Sequence, residues 1–208
     1  GTVFEAARFA PAYHARLRAT PDRELTQNLP PCIDVTPPAP DPAGVLYLAC
    51  DAVYLKAFAL PMLCSLAEKS PGTPVHLHIF DMPEAEIAFF MAFCKALAPL
   101  RFALSVESPN LTGVPIMEAR NYYHSVRFIR LHAHLGRYQC PLWMTDVDAL
   151  VNRDLRDLFA AMTDHDIAMR IRPGRFEPWN QFNACIVGAS ASATSLEYFR
   201  LMAAYVGR

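Results

Sequence analysis

Trp143-Met-Thr-Asp146-Val-Asp148-Ala-Leu-Val151 is the stretch on which the reading of this chain turns. A short apolar run, Pro141 to Met144, delivers two aspartates two residues apart, and apolar residues follow. An extended chain puts residues i and i+2 on one face, roughly 6.6 Å apart at the usual strand rise. If 141–145 is a buried strand, its end projects both carboxylates into one crevice. Hard oxygen ligands at that spacing share one divalent cation, or split between a cation and a hydroxyl. Open α/β sheets bind ligands outside the carboxyl ends of their strands. Asp146 and Asp148 are therefore read as a Mg2+ or Mn2+ site that holds a phosphate-bearing substrate. A surface turn is the plainer alternative for any Asp-x-Asp.

Outward from this stretch, strand and helix patterns alternate. Val45 to Cys50 reads as a short buried strand, followed by a helix from Tyr54 to Lys69 that Pro61 should kink. Pro74 to Phe80 alternates strictly, as a strand does. Pro83 to Ala98 opens with proline in the first turn, and its Ile87, Phe90, Met91 and Cys94 share a face. Arg101 to Val106 is a third strand. Tyr122 to Leu135 is a helix that Gly136 should end. Leu155 to Met162 is a short helix, Asp166 to Ile171 and Asn183 to Val187 are strands, and Ser192 to Tyr205 is a last helix. Strands regularly spaced by helices predict an α/β fold with a mainly parallel, helix-covered sheet.

The first 43 residues differ. Residues 3–20 read as a helix disturbed by Pro11. Pro21, Pro30, Pro31, Pro37, Pro38, Pro40 and Pro42 then crowd a stretch that should hold no regular structure. The expected organisation is a helix and proline-rich arm over 1–43, then one domain over 44–208.

Composition bounds the function. The 208 residues are 53% hydrophobic and 19% charged, with net charge −1, as in a soluble domain with a sizeable core. The near-zero charge, with no Lys/Arg run, argues against nucleic-acid or polybasic membrane partners. The scarcity of Lys beside plentiful Arg fits a GC-rich, bacterial genome. Cysteines 32, 50, 64, 94, 140 and 185 are scattered without a C-x-x-C pair and read as buried free thiols of a reducing, cytoplasmic compartment. No stretch approaches the ~18 apolar residues of a membrane span.

Other residues carry two readings each. Asp51 directly follows the first strand, with Tyr54 three residues on. Its carboxylate could receive an N–H from a base edge while the ring stacks on that base, or it could simply cap the next helix. His76 and His78 share a strand face and could bind zinc. With no third ligand nearby in sequence, they read as half-buried polar positions. His132 and His134 point to opposing sides of a helix and are poor partners for one another. Arg127 and Arg130 lie on one helix face, where Arg suits bidentate contact with phosphate and equally a surface salt bridge.

In order, Leu48-Ala-Cys-Asp51-Ala-Val-Tyr54, Val75-His-Leu-His-Ile-Phe-Asp81, Ser125-Val-Arg127-Phe-Ile-Arg-Leu131, Leu142 through Phe159 and Phe182-Asn183-Ala-Cys-Ile-Val187 resemble the GT-A-fold glycosyltransferases. The likeness is nearest to glycosyltransferase family 8, which includes glycogenin and the bacterial lipopolysaccharide galactosyltransferases, and it covers about residues 45–205. It implies transfer of a hexose from a UDP-sugar to a saccharide, lipid or protein acceptor, with retention at the anomeric carbon. It implies that Asp51 receives the uracil N–H and Tyr54 stacks on the base. Arg127 would meet the diphosphate and sugar. Asp146 and Asp148 would bind the divalent ion and ribose, and Asn183 would stand beside the donor sugar. Val53 and Cys185 depart from the family pattern. So does the lack, within these residues, of an Asp-Gln pair and a later His-x-x-Gly-x-Lys segment. The domain is therefore expected to be truncated at its C-terminus.

Two other classes stay open. One is a transferase-like module that binds nucleotide or a partner without turnover. The other is a haloacid dehalogenase-like phosphatase, whose Asp-x-Asp also follows an apolar strand. Against it, Leu150 replaces the usual Thr or Val, no Lys follows Lys95, and the motif lies late in the chain.

Overall fold

The computed structural model describes residues 10–37, 43–175 and 182–207. Residues 3–9 of the expected first helix and the prolines at 38, 40 and 42 lie outside them. The chain enters through α1 (Pro11–Arg18), the one-turn α2 (Asp22–Leu25) and β1 (Ile33–Thr36). β2 (Val45–Asp51) leads into α3 (Ala52–Tyr54), a π-helical turn (Leu55–Ala59) and α4 (Leu60–Lys69). Then come β3 (Pro74–Phe80), α5 (Glu84–Ala96), β4 (Arg101–Glu107) and α6 (Ile116–Tyr138). β5 (Leu142–Thr145), α7 (Arg156–Ala160), β6 (Ile167–Ile171), β7 (Phe182–Ala189) and α8 (Ala193–Val206) complete it.

The strands form one sheet in the order β1-β4-β3-β2-β5-β7-β6. β4, β3, β2 and β5 are parallel, as their alternation with helices predicts. β1, β7 and β6 join antiparallel. The stretch 172–181 between β6 and β7 is shorter than the dozen or more residues a parallel crossover needs, so those two strands pair antiparallel. β3 is buried along its whole length, as a strand covered on both faces must be. On one face Leu46, Leu48, Leu77, Ile79 and Leu104 pack against Leu63 and Leu66 of α4 and Phe90 and Cys94 of α5. Ile87 and Met91 join the same cluster, as their spacing predicts. On the other face Val45, Tyr47, Leu142 and Met144 meet Leu131 and Leu135 of α6 and Phe199 of α8. Each fully enclosed Leu or Ile contributes about 1.5–3 kcal/mol. Gly44, at φ 123°, lets β2 start hard against β5: a Cβ there would lie 2.9 Å from the Pro141 carbonyl oxygen.

Four features differ from the sequence reading. The described part of the proline-rich segment, 21–37, holds regular structure after all, because its prolines bracket elements instead of interrupting them. Pro21 caps α2, while Pro31 and Pro37 flank 33–36, which are free to pair with β4 at the sheet edge (Ile33 opposite Val106). Leu17 and Leu25 seat this segment on Ile129, Ala203 and Ala204. Arg200 holds it too, donating to Asp22 and to the carbonyls of Arg18 and Thr20. Second, Gly136 does not end α6. The helix runs to Tyr138 and closes at Gln139, which adopts φ 53°. Buried Leu135 and Tyr138 hold that last turn against the sheet, outweighing the cost of an exposed glycine. Third, Pro61 acts through the turn before it: the Leu60 N–H reaches back five residues to Leu55, widening the helix where Pro61 offers no N–H. Fourth, His76 and His78 are not half-buried but fully enclosed. Among the described residues, no helix is long and apolar enough to cross a membrane.

Candidate functional site

β2 and β5 are parallel neighbours with Leu48 opposite Thr145, so Asp51 and the turn carrying Asp146 and Asp148 emerge at the same carboxyl edge. β7 runs antiparallel to β5 with Ile186 opposite Thr145, which brings Asn183, Ala184 and Cys185 to that edge from the opposite direction. The Asp146 N–H donates to the Cys185 carbonyl at 2.9 Å, fixing the turn to β7. The Thr145 hydroxyl donates to the same carbonyl at 3.0 Å.

α6 supplies the cation. Arg127 Nη1 donates to Asp146 Oδ1 at 2.5 Å, and Nη2 lies 3.4 Å from the Ala184 carbonyl. Its Nε is buried and has no hydrogen-bond partner among the described residues. A guanidinium with an unused donor, held at a strand-end carboxylate, is suited to an incoming anion. Arg130, one turn on, does something else. It turns to the buried carboxylate of Glu107, with Nε 2.7 Å from Oε2, and donates to the Pro30 carbonyl at 2.8 Å. The two arginines that share a helix face in sequence therefore split between the edge and the core.

The two aspartates also differ. Asp146 is half-buried and ion-paired, whereas Asp148 is exposed and has no partner among the described residues. Both are carboxylates that could hold a divalent ion, in a shell that phosphate oxygens and water would have to complete. Among the described residues, the one close group of three metal-ligating side chains is Cys32, His78 and His134, away from this edge.

Asp51 performs the capping role: its Oδ1 accepts the Tyr54 N–H at 2.7 Å. The Tyr54 ring is exposed and tilts against Phe58, 5.1 Å between centroids. Asn183 Oδ1 accepts the Cys185 N–H at 3.0 Å. Asn183 also lines a cavity of about 190 Å3 with Phe128, Met169, Tyr198 and Met202. A larger cavity, about 440 Å3, lies under residues 149–158. Asp51, Asp146 and Asp148 line neither of these two cavities.

Three further residues at this edge escaped the sequence reading. Tyr123 donates to Asp81 Oδ2 at 2.7 Å. Burial, then that hydrogen bond, then the charges of Asp81 and Asp51 push its hydroxyl above the usual tyrosine range. Burial, then Arg127 and Arg120, lower His124, while Asp146 opposes them. Asp81 sits at the end of β3 with φ 53°. The available signal was helical: Tyr123 and His124 precede Arg127 by four and three residues and so share its face.

No protein-family model matches this chain, and no curated protein matches it either. Solved structures do. The bifunctional glycosyltransferase WbbM superposes with a TM-score of 0.54 at 13% identity, over 79% of this chain and 35% of its own. The glycosyltransferase GlyE of Streptococcus pneumoniae TIGR4 gives 0.43 at 17%, over 75% of this chain and 36% of its own. The galactosyltransferase LgtC, solved with donor and acceptor sugar analogues, gives 0.45 at 18%, over 78% and 69%. This chain thus spans about a third of the length of GlyE and of WbbM. The likeness to WbbM is one of fold: the chain has the GT-A fold of nucleotide-sugar glycosyltransferases.

Proposed function

We propose that this chain carries the donor site of a metal-dependent glycosyltransferase. It moves a hexose from a UDP-sugar to a saccharide, lipid or protein acceptor, with retention at the anomeric carbon. The observation that carries the reading is the meeting of Arg127 with Asp146 at the carboxyl edge, beside unpartnered Asp148. The GT-A fold supports it.

Transfer from a nucleotide-sugar expels a diphosphate, and negative charge grows on the leaving oxygen. Arg127 meets that charge with a guanidinium that is largely shielded from water and has an unused Nε donor. Preformed donors in such surroundings lower the barrier most. Bound at Asp146 and Asp148, Mn2+ or Mg2+ would supply Lewis-acid stabilisation of the diphosphate. Asp51 keeps its capping oxygen on Tyr54 and offers the other to the uracil N–H, while the exposed Tyr54 ring stacks on the base. The Asn183 carboxamide, its oxygen already fixed by Cys185, presents its NH2 toward the donor sugar. The leaving diphosphate takes the acceptor proton. We place the protein in the cytoplasm, in keeping with its six free cysteines.

One observation favours a second reading, a binding module without turnover. Among the described residues, no third metal-ligating side chain joins Asp146 and Asp148. A turnover assay across UDP-sugars with Mn2+ separates the two. Hydrolysis or transfer that stops on chelation is expected. UDP binding with no turnover of any sugar nucleotide would leave only the module, and absence of both would sink the donor site.

A further inference from the structure

Beneath the carboxyl edge, between the sheet and α6, lies a polar cluster that the donor site does not use. β3 contributes His76 and His78, β4 contributes Ser105 and Glu107, and α6 contributes Arg130, His134 and Tyr138. Cys32 enters from the residue just before β1. His76 is satisfied at both nitrogens: Nδ1 lies 2.8 Å from the Tyr138 hydroxyl and Nε2 2.8 Å from the Ser105 hydroxyl. Glu107 is satisfied too, by Arg130 and by the Tyr122 hydroxyl at 2.8 Å.

The remainder is not closed. His134 Nε2 and the Tyr47 hydroxyl are buried, and neither has a hydrogen-bond partner among the described residues. The Tyr47 and His134 rings lie 5.3 Å apart. His78 Nδ1 is 3.9 Å from Cys32 Sγ, and the ligating atoms of Cys32, His78 and His134 all lie within 4.8 Å of one another. His78 and His134 are 0% and 4% exposed. Buried polar atoms are nearly always paired, so an unpartnered imidazole nitrogen facing a thiol and a second imidazole calls for an occupant.

We propose that Cys32, His78 and His134 bind a zinc ion that ties the N-terminal segment to the GT-A core. One thiolate and two neutral imidazoles form a borderline-soft donor set suited to Zn2+, and unlike the all-oxygen set of Asp146 and Asp148. Zinc bonds of about 2.0–2.3 Å place tetrahedral ligands roughly 3.3–3.7 Å apart, so the three side chains must close by about 1 Å. The surroundings are those a zinc histidine needs. Glu107 Oε2 lies 3.3 Å from His78 Nε2, on the far side of the ring from Cys32. A carboxylate there orients the ring for a metal at Nδ1 once Ser105 gives way. Ser105, which also bonds His78 Nδ1 at 2.8 Å, retains His76 when Nδ1 turns to the ion. The fourth position falls to a water beside the Tyr47 hydroxyl. Binding releases the Cys32 thiol proton to solvent and leaves a thiolate on the ion.

The three ligands come from an edge segment, a central strand and the long helix. The ion would therefore act as a clasp, holding 32–36 against β4 and under α6. The test is metal content and cobalt spectroscopy on the full chain, expressed with zinc and passed through EDTA. Wild type should retain one zinc per chain, and so should Asp148→Ala, because the oxygen site is separate. Cys32→Ser and His134→Gln should lose it. Exchange with Co2+ should give tetrahedral visible bands and a near-ultraviolet sulfur-to-cobalt band, the latter absent in Cys32→Ser. If Cys32→Ser does not fold, the wild-type cobalt spectrum and iodoacetamide labelling of Cys32 before and after strong chelation decide the matter. A wild type without zinc and without cobalt bands would show that water alone fills the cluster and overturn the proposal. Zinc retained in both ligand variants would place the metal elsewhere and overturn it equally.

Discussion

Asp146 and Asp148 stand two positions apart yet live in different surroundings, and that difference decides what each substitution should do. The Asp146 side chain is paired with Arg127, so its loss leaves a shielded guanidinium unpaired besides removing a carboxylate. Asp148 is exposed, and nothing among the described residues depends on it. Asp148→Ala should therefore abolish UDP-sugar turnover, by more than the ~10–100-fold typical when a group merely supporting a ligand is lost. Removing one of two adjacent carboxylates also lifts their mutual repulsion, so melting temperature should hold or rise slightly. Turnover and a melting curve on one preparation check both halves, and full activity would remove Asp148 from the site. Arg127→Lys keeps the charge but gives up the planar fork that spans Asp146 and Ala184. A fall in kcat of about 100-fold, with little change in melting, is expected for a lost charge-stabilising donor. A kcat within twofold of wild type would show that the guanidinium geometry does not matter.

α6 serves two regions along one length. Its first half sets Tyr123, His124 and Arg127 over the carboxyl edge, and its second half sets His134 and Tyr138 over the buried histidines. The helix can do both because its buried residues recur at helical spacing from Val126 to Tyr138, pinning it to β2 and β5 on one side and α8 on the other. The Tyr138 hydroxyl is the tie between its last turn and β3. Tyr138→Phe keeps the ring but strands His76 Nδ1 in the core, at a cost of about 1–3 kcal/mol. Urea denaturation should show a lower midpoint with an unchanged slope. An unchanged midpoint would mean that His76 finds another partner.

For the whole molecule, the proposed donor site lies at the carboxyl edge of the sheet, and ligands should complete it. Two carboxylates leave most of a six-coordinate shell to phosphate and water. Mn2+ should therefore bind weakly alone and at least about 10-fold more tightly with UDP, and UDP should gain by the same factor with Mn2+, because linkage is reciprocal. Calorimetric titrations in both orders measure the two factors. Absence of coupling would separate the metal from the nucleotide. The N-terminal segment belongs to the same body: Arg200 anchors it to α8, Arg130 to the core, and β1 extends the sheet.

Much of this was legible in the chain itself, for a local reason. Alternation over 74–80, the apolar face of Ile87, Phe90, Met91 and Cys94, and the run ahead of Asp146 depend only on residues a few positions apart. Those spacings fix which face of a strand or helix is apolar, and so the parallel core and the edge at which Asp51 and Asp146 emerge. The tertiary structure decided the rest. Whether 33–36 forms a strand depends on β4, some seventy residues away. Whether α6 stops at Gly136 depends on Tyr138 finding His76. Arg127 and Arg130 look alike in sequence and part company only because Asp146 and Glu107 occupy different depths of the sheet. The partners of His78, Cys32 and His134, lie 46 and 56 positions away, on elements that only the assembled sheet brings together. Burial of polar groups is a property of the packed whole, and no local spacing encodes it.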